Sequence, residues 1–322
     1  MKKSDQSVNV FILALISLGI TFTVAFLEFI IYQNQLPSIF DIWNRWDTNW
    51  YLRIAEYGYQ NSPDGRLSIT FLPLFPWLIR LSAIMLKSYL TSGLMISNIC
   101  YILLLLIFYK LVKKDFPEKV AWKTVVYFSI YPTAYFLHAA YTESLFLMLV
   151  FLCILLARNE RWFLASFAGM LAVLTRFNGI LLLPLLFSEY LTIKKFNFRN
   201  IRLDILWIIL VFLGFAFYLF LNYQYFGNPF AFKAIFAEIT WDRPALPWAG
   251  LIDALTRFYR YKIGDWIIEG FMVILFWFID IIILLISLNK IRFSYSVFAW
   301  LNFLFMTSTS IWAGLPRYSL TL

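Results

Sequence analysis

The fold class this sequence predicts is an all-α polytopic membrane protein, and three observations predict it. Hydrophobic residues make up 62% of the 322-residue chain and charged residues only 14%. A soluble core cannot hide that much apolar surface, because single cores stop growing at roughly 250–300 residues. The apolar residues come in blocks separated by short charged clusters, the pattern of repeated bilayer spans. Aromatics reach 21%, with 13 Trp and 19 Tyr, many near block ends, where amphipathic rings settle at the membrane–water boundary. The net charge of +9 therefore reads as topology, and nucleic acid is not an expected partner.

The spans expected in chain order are 8–32, 91–112, 120–137, 142–157, 162–175, 179–192, 203–223, 266–288 and 293–312. They form a bundle of about nine transmembrane or re-entrant helices within a single integrated membrane domain, 1–322. The first follows Met1-Lys2-Lys3 and resembles a signal peptide. Its apolar part is too long and no small-residue cleavage site follows, so it reads as an uncleaved span. Those at 142–157, 162–175 and 179–192 are short for a hydrocarbon core of about 30 Å. They need thinned bilayer, little tilt, or a dip and return. With Met1 inside, the tail, the stretches 113–119, 158–161, 193–202 and 289–292, and their flanks hold more than half of the 27 basic residues. The positive-inside rule then places the long segments 33–90 and 224–265 on the outer face, with the turns 138–141 and 176–178 and the Pro316-Arg317-Tyr318 turn. The long segments are aromatic and Pro-punctuated, as expected of helices lying in the interface. The final Ser319-Leu320-Thr321-Leu322 reads as the opening of a further span, which makes truncation at the C-terminus an expectation. Cys100 and Cys153 lie in apolar spans and read as core-packing thiols.

Four polar clusters converge on the expected outer face. In RWDTNWYLRIAEYGYQ, Arg45 to Gln60, Asp47 sits among Trp46, Trp50 and Tyr51 just after the first span. A carboxylate there suits general-base work on a hydroxyl; a salt bridge to Arg45 or Arg53 is the alternative. In YPTAYFLHAAYTESLFLMLVF, Tyr131 to Phe151, His138 and Glu143 flank a turn. Thr142 and Glu143 also fit simple helix capping, and His138 a packed interfacial histidine. In LAVLTRFNGILLLPLL, Leu171 to Leu186, Arg176 lies between two apolar runs, where a charge is functional or paired. A guanidinium suits phosphate oxygens; pairing with Glu143 is the alternative. Arg317 offers a second cation. In YFGNPFAFKAIFAEITWDRPALPW, Tyr225 to Trp248, the Gly227-Asn228-Pro229 turn precedes Phe230, Phe232, Phe236 and Trp241, with Arg243 close behind. These aromatics form one greasy face for a lipid chain or for ordinary anchoring. No Gly-rich phosphate loop accompanies them, so a transferase of this kind would draw its donor from the membrane as a lipid phosphate.

The chain resembles the PIG-V-like mannosyltransferases, a branch of the GT-C membrane glycosyltransferases, over almost its whole length. The resemblance rests on RWDTNWYLRIAEYGY, ITFLPLFPWLIRL (Ile69 to Leu81), YPTAYFLHAAYTESLFL, LTRFNGILLLPLL, YFGNPFAF followed by WDRP, and LPRYSLTL, in that order. It implies transfer of a mannosyl (hexosyl) residue from a polyprenyl- or dolichyl-phosphate sugar to a lipid, glycan or protein acceptor. The first-loop acid, here Asp47, would be the catalytic base. The family's acidic turn matches Glu143, its Thr-Arg element Thr175-Arg176 and its terminal Arg-Tyr Arg317-Tyr318. In-line displacement of the lipid phosphate implies inversion, with Arg176, Arg317 or His138 meeting the charge that develops. No cofactor is implied, and metal independence is expected because no cluster of oxygen ligands is evident. The expected location is the plasma membrane, with the site on its extracytoplasmic face. A lipid or small-molecule transporter, or a non-catalytic membrane assembly partner, stands as the alternative; charges grouped on one face rather than along a midplane trail favour the enzyme.

Overall fold

The computed structural model describes residues 6–31, 39–62, 64–240, 243–260, 270–312 and 314–322. Every regular element among them is helical. The first helix, α1 (Gln6–Ile31), carries no charge but Glu28, and its buried positions are the small or slim Val10, Ala14 and Ala25. Much of the rest of its surface is exposed Ile, Leu, Val and Phe, a face suited to lipid. Short helices α2 (Asp47–Tyr57) and α3 (Leu74–Leu86) follow. Then comes α4 (Tyr89–Val112), opened by Ser88, whose hydroxyl caps the Thr91 N–H. At 24 residues α4 is roughly 36 Å long, enough to cross a bilayer. With α1 and the run Leu203–Phe226, it is one of three long apolar helices among the described residues.

The next apolar block does not form one helix over 120–137. Instead α5 (Glu118–Ser129) ends before Pro132, and a four-residue helix, α6 (Tyr135–His138), resumes the chain. Proline lacks a donor and pushes the preceding residue out of helical geometry, so the block breaks there. The following turn is not a solvent loop. Ala139, Ala140, Tyr141 and Thr142 are all buried. Ser97 donates to the Tyr141 carbonyl at 3.1 Å and Asn98 to the His138 carbonyl at 3.1 Å, both from α4. A Cβ on Gly93 would stand 2.9 Å from the Ala140 methyl, so only glycine lets the turn approach α4 this closely. Non-helical backbone at membrane depth has to be sealed by protein in this way.

From there α7 (Glu143–Ala157), α8 (Trp162–Val173), α9 (Leu182–Ile193) and α10 (Ile209–Phe226) run back and forth. The block at 179–192 begins as a 3-10 turn, Phe177–Leu181, and that at 203–223 as Leu203–Ile208. Gly169 faces Val211 and Gly214 faces the Met170 carbonyl, the small-residue contacts that let membrane helices pack closely. Gly227, at φ 69°, closes α10. Two shorter helices, α11 (Ala231–Thr240) and α12 (Ala249–Arg260), precede α13 (Met272–Ser287), α14 (Phe293–Thr307) and the single turn α15 (Leu315–Tyr318). Part of the expected 266–288 span, residues 266–269, lies outside the described residues. Cys100 and Cys153 are buried free thiols.

Contacts sort the connections into two ends. At one end Arg158 grips Asp115 through both terminal nitrogens, at 2.6 and 2.8 Å, and Tyr295 at 2.6 Å. Arg292 and Ser294 hold Glu189 there. The other end gathers α2, α3, the start of α7, the end of α8 and α15. The excess of Lys and Arg at the first end predicts that it faces the cytoplasm. In a background lacking Cys100 and Cys153, a cysteine at the exposed Asn61 is expected to react with an impermeant thiol reagent on intact cells. One at the exposed Asn289 is expected to react only after permeabilisation. The opposite pattern reverses the orientation.

Candidate active site

Asp47 is the first residue of α2, and the backbone before it is unusual. Trp46 takes φ 45°, a region costly for any residue with a Cβ, while its ring is 70% exposed. Three contacts hold the turn in that shape. The Thr48 N–H donates to the Arg45 carbonyl at 3.1 Å, the Thr48 hydroxyl to the Trp43 carbonyl at 3.2 Å, and the Tyr141 hydroxyl to the Arg45 carbonyl at 3.0 Å. Beneath them the buried Trp43 ring stacks on Tyr135 with centroids 5.0 Å apart. The strained turn sends Asp47 towards the bundle.

Its partner there is neither Arg45 nor Arg53. Arg53 donates to Gln60 and lies over the Trp50 ring. Asp47 instead accepts from Arg317 Nη1 at 2.6 Å, across 270 positions of sequence. Arg317 Nε donates to Glu143 Oε1, and Arg176 Nη1 donates to the same oxygen at 2.8 Å. Two carboxylates and two guanidiniums thus form one charge-balanced chain, Asp47–Arg317–Glu143–Arg176. Thr142 occupies the N-cap position of α7 without capping it. Its hydroxyl accepts from Arg176 at 3.2 Å and lies 3.5 Å from the Tyr51 hydroxyl.

Exposure separates the two acids. The Glu143 side chain is fully enclosed, at 0%, whereas that of Asp47 is 34% exposed; Arg317 and Arg176 are 12% and 15% exposed. Glu143 sits at the N-terminus of α7, where the helix dipole favours negative charge. Its second oxygen, Oε2, is buried with no hydrogen-bond partner. Aromatic faces wall the cations: Arg317 lies 4.3 Å from the Tyr141 centroid and 5.0 Å from Phe136, and Arg176 5.3 Å from Tyr318. Burial works against charge on Arg317, but the Glu143 and Asp47 carboxylates outweigh it and raise its pKa well above the usual range. Burial, then the Asp47 charge, pushes the Tyr51 phenol up and keeps it neutral.

The remaining candidates lie elsewhere. His138 is held between α4 and α1, with Nδ1 2.8 Å from Asn98 Oδ1, Nε2 3.3 Å from the Ser17 hydroxyl and its ring against Tyr101. It does not join the charges, although only four residues separate it from Glu143. Trp50 stacks on Phe71, and Tyr51 meets Phe71 and Phe75 edge-on. Asn228 accepts from the Phe230 N–H within its turn. Phe232 packs on Phe177, while Phe230 and Phe236 stay exposed. The exposed Arg243 accepts at its carbonyl from the Ser310 N–H and donates its own N–H to the Ser310 hydroxyl. Trp241 lies outside the described residues.

Residues 70–223 match the family described as dolichyl-phosphate-mannose-protein mannosyltransferase. That stretch is just under half of the chain, and over it the sequence is similar to membrane mannosyltransferases. The matched stretch of the family contains Glu143 and Arg176; Asp47 and Arg317 lie on either side of it. A curated relative, GPI mannosyltransferase 2 of Schizosaccharomyces pombe (strain 972 / ATCC 24843), is 29% identical over 157 residues, 46% of this chain and 32% of the relative. The alignment therefore spans about a third of that relative's length. No solved structure matches.

Proposed function

We propose that this chain transfers a mannosyl (hexosyl) residue from a polyprenyl- or dolichyl-phosphate donor to an acceptor hydroxyl at the end of the bundle that carries Asp47. The observation that carries the reading is the contrast between the two carboxylates. Glu143 is enclosed and shared by two arginines, so it is their counter-ion. Asp47 is partly open and is the carboxylate an incoming hydroxyl can reach. In the reaction, Asp47 takes the hydroxyl proton as the acceptor oxygen bonds to the anomeric carbon. The bond from that carbon to the phosphate oxygen breaks on the opposite face, its electron pair leaves with the lipid phosphate, and the anomeric configuration inverts. Arg317 and Arg176 supply positive charge for the departing phosphate, a role that makes a divalent cation unnecessary. Trp46, exposed beside Asp47, offers a surface for the sugar or the lipid.

The basic residues at the other end support an orientation with this end on the extracytoplasmic side. The test uses purified protein, polyprenyl-phosphate [14C]mannose and a mixture of lipid and glycan acceptors. Labelled product with inverted anomeric configuration is expected, at a rate that EDTA leaves unchanged. Retention of configuration overturns the single displacement, and loss of rate in EDTA overturns the role given to the arginines. No label transfer, with donor instead moved across proteoliposome walls, favours a transporter.

A further inference from the structure

Two buried polar side chains in apolar helices, Asp280 and Asn302, take no part in the charge chain, yet both reach segments that carry its arginines. Asp280 stands alone as the acid of α13, with Phe, Ile, Leu and Trp around it in sequence. Its Oδ2 accepts from the Ser319 hydroxyl at 2.5 Å. Asn302, buried in α14, donates to the Thr321 carbonyl at 2.7 Å. The same Asn302 accepts at Oδ1 from Asn178 at 2.9 Å. Ser319 and Thr321 follow Arg317 by two and four residues, and Asn178 follows Arg176 by two. On the other side, Thr133 donates to the Pro316 carbonyl at 3.1 Å.

An ionisable group inside a membrane helix is costly and is retained for a task. Here the task is visible in what it holds. Arg317 stands on α15, a single turn of four residues that cannot hold its own position. Without an outside grip, a side chain that must meet Asp47 and Glu143 at once would wander.

We propose that Asp280 and Asn302 are positioning residues for the two arginines. Asp280 fixes the Arg317 turn through Ser319. Asn302 ties that turn to the Arg176 segment through Thr321 and Asn178. The catalytic consequence rests on the function proposed above; the geometric one does not.

The experiment has two readouts. Phenylglyoxal modification of Arg317, followed by peptide mass spectrometry, reports on the grip without any assay of transfer. Labelling is expected to rise several-fold in Asp280→Ala and in the milder Ser319→Ala, and to return towards wild type in Asp280→Asn, whose amide oxygen still accepts from Ser319. Transfer kinetics form the second. A misplacement of about 1 Å can cost ~10²-fold, so kcat in Asp280→Ala is expected to fall ~10–100-fold. Because Asp280 acts through Arg317, its loss and that of Arg317→Lys should not multiply in the double variant. Unchanged labelling in both alanine variants overturns the proposal, and so do losses that multiply. Raised labelling in a protein whose wild type transfers no sugar leaves the positioning role standing and removes the function instead.

Discussion

Asp47→Asn is expected to abolish sugar transfer while the protein still inserts and folds. The amide is nearly isosteric, and its oxygen still accepts from Arg317 Nη1, the contact now made at 2.6 Å. What it cannot do is take a proton. Loss of a positioned general base costs ~10²–10⁴-fold in rate. The effect on stability is of another order. The Asp47 side chain is one-third exposed, so solvent screens the pair, and the loss is on the order of 1 kcal/mol. A plain salt bridge predicts the reverse: a lowered melting temperature with turnover intact. Measuring both separates the two readings. Near wild-type turnover in Asp47→Asn would remove Asp47 as the base. Glu143 would then have to free itself from two arginines to serve, which makes Asp47→Asn with Glu143→Gln the next pair to compare.

The helices were legible because a bilayer makes strong demands on sequence. Apolar blocks bounded by charge mark α1, α4, α7 and α14 to within a few residues of the observed ends. The break after α5 was also written there, in Pro132, but block hydropathy averages over a single proline. The candidate charges were legible one by one, as ionisable groups beside apolar runs. Their partners were not. Sequence proximity offered Arg45 and Arg53 to Asp47, yet the strained Trp46 turn aims it at Arg317, 270 positions away. Proximity likewise suggested His138 beside Glu143. Ser97 and Asn98 instead pull the turn between them against α4, and the histidine goes with it. Asp280 and Asn302 carried a signal that the outer-face argument passed over, a polar side chain within an apolar helix. The pairing of Arg176 with Glu143, left open by the sequence, is what the fold adopts.

Arg317 is expected to be the most damaging single site for stability and activity together. It bonds both carboxylates at once. Arg317→Met leaves two negative charges and only Arg176 to meet them. Breaking a buried pair on one side costs about 3–5 kcal/mol, so a marked fall in melting temperature is expected. Arg317→Lys keeps the charge but not the planar fork, and an ammonium does not reproduce donation from Nε to Glu143 and from Nη1 to Asp47 in fixed directions. Its stability should fall less and its transfer rate strongly, since removing one preorganised donor to a developing anion costs ~10²–10³-fold. The decisive variant joins Arg317→Met to Glu143→Gln. Asp47 and Arg176 then remain as one negative and one positive charge, and the balance of the site is restored. If Arg317 serves only as a counter-ion, melting temperature and transfer rate recover together. If it also meets the departing phosphate, the melting temperature recovers and the rate does not. The second outcome is expected, because Arg317 is the cation bonded to the one acid that stands open.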